Sequence, residues 1–440
     1  RPLLPDHTGG DWLPGFEPNT IARIASTLFA AKPKSTSTVL KSSPYVKASS
    51  IDHVSLQAGS TLLQGRMPLL SASRMHTLHA RPGAVVRVGL SDLPEDHNLS
   101  AGLMILQSLS DFQSYLLYEN LSGLIDWRMM GVYSKVPASL PIGGGFGGGS
   151  GSVNPVQVWE VYGSMTRPLG VYSGVSATFG SVLSRENLPL NPDFPKDNGS
   201  LRHQMTGLRL EWMTDRSRRS SGALWKGYRA KVFHEFYLSS GTTSGSGALF
   251  GLDARAYQPL MGGMVWASRL AFQHSTGALR ANYMVGGMEQ WLMPRINGDM
   301  PVPPSNRVLL NGLAAPVRGL PINTMNGSSF MGAGTEVRWI PAAMRAAVPV
   351  GSEFWRNFQL AAFLDAGTAW KPGGFLKTDS TLFPTQINRD PVRVRFDRQL
   401  SPLLWSYGVG VRAHLLGYSI RLDRAWAHEH RVRLAPTWVL

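Results

Sequence analysis

Several short stretches of this chain bring together residue types that could do chemistry, and most lack what that chemistry needs. Gly143 to Gly148 satisfies Gly-x-Gly-x-x-Gly, a spacing that holds nucleotide phosphates when a buried strand precedes it and a helix follows. Here it lies inside a glycine run with neither, so it reads as a flexible loop, and no cofactor is expected. His428-Glu429-His430 puts two imidazoles on the same side of a strand, a start toward a metal site. Only three ligands are local, so a solvated hairpin turn is the better reading and no metal is expected. His234 and Glu235 lack a credible nucleophile, and there is no Gly-x-Ser-x-Gly elbow. With no assembled acid, base and nucleophile, an enzyme is not expected.

A more informative group is charged and sits in alternating segments. In 329–340 the period that puts Met331, Ala333, Val337 and Trp339 on one face sends Glu336 and Arg338 to the other. In 355–366, Phe358, Leu360, Ala362, Leu364 and Ala366 oppose Asn357, Gln359 and Asp365, with Phe363 on the polar side. In 403–413, Leu403, Trp405, Tyr407, Val409 and Val411 oppose Ser406, Gly408, Gly410 and Arg412. One face suits lipid and the other suits water. Carboxylates on the watery face would welcome a cation.

The elements that position these residues are therefore strands of a membrane sheet. No apolar run approaches the roughly 18 to 20 residues of a membrane helix; the longest are of the size of Leu360-Ala361-Ala362-Phe363-Leu364. Charged residues are only 16% of the 440, while Gly (47), Trp (13) and Tyr (12) are plentiful, which disfavours long helices and favours strands and membrane interfaces. The absence of cysteine excludes disulfides and thiolate metal sites and suits export through an oxidising compartment. The charge of +15 comes from arginines dispersed singly rather than gathered into a stripe, so nucleic acid is not an expected partner; the charge suits a lumen or anionic lipid headgroups, lipopolysaccharide included.

The expected fold is all-β: a transmembrane antiparallel β-barrel in the bacterial outer membrane. Its strands are expected at about 47–57, 76–90, 99–109, 112–119, 122–133, 156–165, 170–183, 203–214, 223–237, 247–257, 261–274, 329–340, 355–366, 403–413, 418–425 and 431–440. That is about sixteen, an even number suited to closure. The intervals 134–155, 184–202, 275–328 and 367–402 are loop-length. Residues 1–44 hold several prolines and no sustained period and read as a periplasmic arm or linker, with 45–440 as the barrel. The opening Arg1-Pro2-Leu3-Leu4 has no signal-peptide pattern, so the chain reads as processed or trimmed. The terminal segment alternates toward Leu440, and Pro436 lacks a ladder donor, so a weak closing seam is expected there.

Five motifs occur in order from about residue 247 onward: Gly286-Gly287 with Pro316-Val317-Arg318-Gly319-Leu320; Gly332-Ala333-Gly334-Thr335-Glu336-Val337-Arg338; Phe363-Leu364-Asp365-Ala366-Gly367; Tyr407-Gly408-Val409-Gly410-Val411-Arg412; and Ser419-Ile420-Arg421-Leu422-Asp423-Arg424-Ala425. Together they resemble the barrel of the Omp85 (surface-antigen) superfamily, whose members insert or translocate proteins at outer membranes; Leu320 replaces an aromatic residue of the family's loop tip. Gly89 to Leu99, Tyr118-Glu119-Asn120-Leu121 and Asp126-Trp127-Arg128, with Ser43-Pro44-Tyr45, Asp253 to Tyr257 and Ser275-Thr276-Gly277, resemble surface-antigen barrels that follow a TolB-like propeller.

The resemblance implies a long loop between the eleventh and twelfth strands folded into the lumen. Arg318, beside Gly319 at its tip, could then make charge-assisted bonds to Glu336 or Asp365, with Arg338 a member of the same lumen lock, and a planar guanidinium serves better there than an ammonium. That these are ordinary polar lumen residues near Arg318 by accident stays open. The stretch before the barrel is too short for a propeller or a POTRA module, so delivery of client proteins would fall to periplasmic or outer-membrane partners, or to a module preceding Arg1. The function so implied is protein insertion or export with such partners. A structural or anchoring barrel of an outer-membrane complex and a small-solute diffusion channel are the alternatives.

Overall fold

The computed structural model describes residues 49–59, 70, 83–105, 111–137, 155–187, 200–221, 224–241, 244–288, 291, 295–297, 311–314, 316–341, 357–376, 382–389, 392–399, 401–415, 418–427 and 432–439. The arm expected at 1–44, the glycine run at 143–148 and His428 to His430 lie outside them. Among the described residues all regular structure is strand, apart from one 3-10 turn at Met261–Gly263.

The strands are β1 (Ser49–Gly59), β2 (Gly83–Asp92), β3 (His97–Ile105), β4 (Phe112–Asn120), β5 (Asp126–Pro137), β6 (Pro155–Pro168), β7 (Ser173–Asn187) and β8 (Ser200–Asp215), then the short β9 (Arg218–Ser221), β10 (Leu224–Gly241), β11 (Gly245–Pro259) and β12 (Met264–Gly277). Three short strands follow, β13 (Asn282–Val285), β14 (Asn311–Leu313) and β15 (Met325–Gly327), and then β16 (Ser329–Trp339), β17 (Gln359–Trp370), β18 (Leu382–Arg389), β19 (Val392–Gln399), β20 (Leu404–Leu415), β21 (Tyr418–Ala427) and β22 (Val432–Val439). Each of the sixteen expected strands is present, displaced by a few residues at its ends. The additions are β9, which pairs with the start of β10, the β13–β15 sheet, and a β18–β19 hairpin in the interval expected to be loop.

The sixteen long strands form one antiparallel sheet by consecutive pairing, with β8 joined to β10, β12 to β16 and β17 to β20. Closure was expected and is not seen: among the described residues no pairing joins β22 to β1. Pro436 sits in β22 opposite Leu422 of β21 and has no N–H to give to a ladder on its other side, as befits an edge.

Alternation divides the sheet into two faces. In β17 Gln359, Ala361, Phe363 and Asp365 are buried while Leu360, Ala362 and Leu364 are exposed; in β20 Leu404 and Ser406 are buried while Trp405, Tyr407 and Val409 are exposed. The same division places Met331, Ala333, Val337 and Trp339 outward and Glu336 inward on β16. The outer face is an apolar band, and Trp212, Tyr228, Trp266 and Trp339 lie near one end of it. Two of those indoles satisfy their N–H groups there, Trp266 on Thr335 at 2.6 Å and Trp339 on the Gly262 carbonyl at 3.2 Å. Amphipathic rings at the rim of an apolar band match the interfacial girdle of a membrane sheet.

The two ends of the sheet differ. At the girdled end the connections are short, at 93–96, 121–125, 169–172, 260–263 and 416–417, with 340–358 as the exception. The opposite end carries the long intervals 60–82, 138–154, 188–199, 278–328 and 371–403.

Candidate functional site in the barrel lumen

Beyond β12 the chain does not return directly to the sheet. Its described parts fold back as a small sheet, β13 between a parallel β14 and an antiparallel β15, with Ala314 N–H donating to Met284 O and Thr324 N–H to Val285 O. Gly286 turns the chain at φ 114°, and Gly287 N–H donates to Leu320 O at 2.8 Å, tying the start of the loop to its tip.

Apolar packing holds this loop against the inner wall. Tyr283 meets Phe330 edge-on with ring centroids 5.0 Å apart. Val285, Val317, Leu320 and Met325 join Ala271, Ala369 and Leu404 in one buried cluster. A fully buried Val, Leu or Met side chain contributes about 1.5–3 kcal/mol, so the loop is anchored before any charge is counted. Leu320, next to the tip, is itself buried.

The tip presents Arg318 to carboxylates from three strands. Its Nε donates to Asp365 Oδ2 at 2.5 Å and its second terminal nitrogen to Asp365 Oδ1 at 2.8 Å, a two-pronged contact with β17. The backbone N–H of Arg318 also donates to Asp365, at 3.3 Å. Its other terminal nitrogen donates to Glu336 of β16 at 3.1 Å and to Asp423 of β21 at 3.2 Å. The guanidinium plane lies over the Phe363 ring, 3.4 Å from its centroid, a geometry worth about 2 kcal/mol when desolvated. Burial alone lowers the pKa of Arg318, but the hydrogen bond and charge of Asp365, with those of Glu336 and Asp423, outweigh it and hold the group above the ordinary arginine range.

Gly319 makes the approach possible. Its φ of 88° is a conformation side chains rarely adopt, and a Cβ there would stand 2.9 Å from the Ala425 Cβ of β21.

Glu336 is the hub of a wider set. Arg338 Nε donates to it at 3.0 Å, Arg412 pairs with it, and Arg421 lies 3.9 Å away while donating to Asp423 at 2.7 Å. The expected residues Arg318, Gly319, Glu336, Arg338 and Asp365 thus lie together in the lumen. Asp423, Arg412, Arg421 and Phe363 belong to the same group without having been expected as site residues. The signal for them was alternation carried one step further: Asp423 pairs with Gly410 and Arg421 with Arg412 on neighbouring strands, which puts all the side chains on one face.

A second buried charge cluster was not foreseen. Arg209 of β8 reaches Glu211 at 2.6 Å and Glu235 of β10 at 3.3 Å and lies 3.6 Å over the Phe233 ring. His234, one residue from Glu235, stacks outward on Phe236 at 4.3 Å, so the two point to opposite faces and form no acid–base pair.

No protein-family profile matches the chain, and no curated protein matches it. Among solved structures it is similar to BamA from Haemophilus ducreyi lacking POTRA domains 1–3, with a TM-score of 0.52 at 12% identity over 89% of this chain and 69% of that one. It is also similar to CdiB from Acinetobacter baumannii (TM-score 0.40, 10% identity, 89% of this chain and 59% of that one) and to CdiB from Escherichia coli (0.43, 13%, 87% and 65%). The chain therefore spans less than two thirds of either CdiB structure.

Proposed function

We propose that this chain, an outer-membrane β-barrel of the Omp85 type by fold, acts with protein partners in inserting or exporting proteins at the outer membrane, with Arg318 and its carboxylates locking the lumen loop in the resting state. The observation that carries this reading is the seating of Arg318 on Asp365, Glu336 and Asp423, which occupies the lumen with the chain's own backbone. A diffusion channel needs that space open. The short-turn end is read as periplasmic, because barrels of this class have short periplasmic turns and long outer loops. Partners delivering client proteins would meet the chain there, and the apolar outer face would meet lipid.

Two measurements on the purified full chain test the proposal. In planar bilayers the wild type should show little steady conductance and Arg318→Ala a large, persistent one. In liposomes the wild type should speed insertion of a urea-unfolded outer-membrane protein several-fold over empty vesicles. A wild type that conducts steadily like Arg318→Ala, and that speeds no insertion, is a solute channel and the proposal fails.

A further inference from the structure

Beside Arg318, extending toward the short-turn end, lies a cavity of about 160 Å³, with Arg338, Arg412 and Arg421 on its wall beside Glu336 and Arg318, and Arg255 and Arg269 on β11 and β12. In the sheet register Arg412 stands directly opposite Arg421, and Arg255 directly opposite Arg269. Like charges so placed destabilise a sheet unless an anion lies between them.

The carboxylates present are shared. Asp253 accepts from Arg255 at 2.9 Å and from Arg269 at 2.8 Å. Among the described residues on the other wall, Glu336, Asp365 and Asp423 serve Arg318, Arg338, Arg412 and Arg421, three negative groups against four positive ones. The Nε of Arg412 is buried and finds no hydrogen-bond acceptor there.

We propose that this cavity binds a free oxyanion of the phosphate type, taken from the aqueous lumen and held by Arg412 and Arg421 with Arg338. A tetrahedral oxyanion offers several acceptors to planar guanidinium forks, which chloride cannot match. The arginines that line it face the lumen and not the apolar outer face, so the anion they meet comes from the aqueous side and not from lipid. Met288, Pro316 and Arg318 of the loop also line the cavity, so the site rests on the loop being seated as described, but anion binding can be read without any transport activity.

Titration calorimetry of the purified full chain with inorganic phosphate, at ionic strength held constant with chloride, provides the test. Saturable binding is expected, displaced by sulfate. Arg412→Gln should weaken it about tenfold, the effect of losing charge-assisted bonds. Arg421→Gln, an independent variant should the first not fold, should do the same, and Arg216→Gln at an exposed turn should change nothing. No saturable binding by the wild type would overturn the proposal, as would undiminished, wild-type affinity in both cavity variants. Binding of a soluble short-chain anionic phospholipid without binding of phosphate would overturn it too.

Discussion

At the scale of the residue, one guanidinium meets three carboxylates away from water, and the cost of removing it falls on what is left behind. Arg318→Ala takes the two-pronged partner from Asp365 and one of several partners from Glu336 and Asp423, and breaking a buried pair such as that with Asp365 costs about 3–5 kcal/mol. Arg318→Lys keeps the charge but loses the two-pronged bond and the stacking on Phe363, so its loss should be smaller but clear; urea unfolding of the two variants should rank them in that order. The pH dependence follows from the direction of the shift. With its folded pKa raised above the ordinary arginine range, Arg318 contributes fully below that range and loses its contribution only as pH rises past it. Closed-state conductance should then be the same at pH 7 and pH 10, and opening at pH 10 would contradict this assignment of charge. Gly319→Ala adds a collision with Ala425 to an unfavourable φ of 88°, whereas Gly373→Ala meets only the φ of 73° in open space. The backbone term is about 1–2 kcal/mol, so thermal unfolding should show Gly319→Ala as the more damaging of the two.

At the scale of the element, β17 shows how one strand serves two solvents. Leu364 faces outward between Thr335 and Tyr407 in the register, and Asp365 faces inward to Arg318. An arginine on the lipid face near mid-membrane costs about 2–4 kcal/mol; Leu364→Arg should reduce folded barrel by that amount in an unfolding titration from lipid vesicles, and a change below about 1 kcal/mol would argue that this face does not meet lipid. Packing between neighbouring elements is just as specific: the Phe363 ring lies where a Cβ on Gly408 of β20 would stand. The alternation of β16, β17 and β20 was legible in the sequence because period two is a local property. The β18–β19 hairpin was not: β19 alternates Val392, Val394 and Phe396 against Arg393, Arg395 and Asp397, but β18 carries no such period, and the pairing of Leu382 with Gln399 and Arg389 with Val392 is decided between the two strands.

At the scale of the whole molecule, the unequal ends of the sheet support the orientation proposed above, with the short turns periplasmic. The chain has no cysteine, so a single introduced thiol reports its own side. Lys371→Cys, next to the end of β17 on the long-loop side, should react with an impermeant maleimide on intact cells. Leu124→Cys, exposed in a short turn, should react only after the outer membrane is permeabilised. The reverse pattern would invert the orientation and with it the end at which periplasmic partners could act.

The sequence by itself determined the sixteen strands, which face of each is apolar, and the placement of Glu336, Arg338 and Asp365 on the inner side, because pleat and polarity repeat every two residues along the chain. The resemblance of its motifs supplied the expectation of an inward loop with Arg318 among its lock residues. Only the tertiary structure decided that Asp423 and Phe363 complete the contact and that Arg209 is buried between Glu211 and Glu235. It alone also showed Arg412 opposite Arg421 and, among the described residues, no pairing of β1 with β22. These depend on register between strands far apart in sequence and on the path of a loop back through the lumen, neither of which a local period encodes.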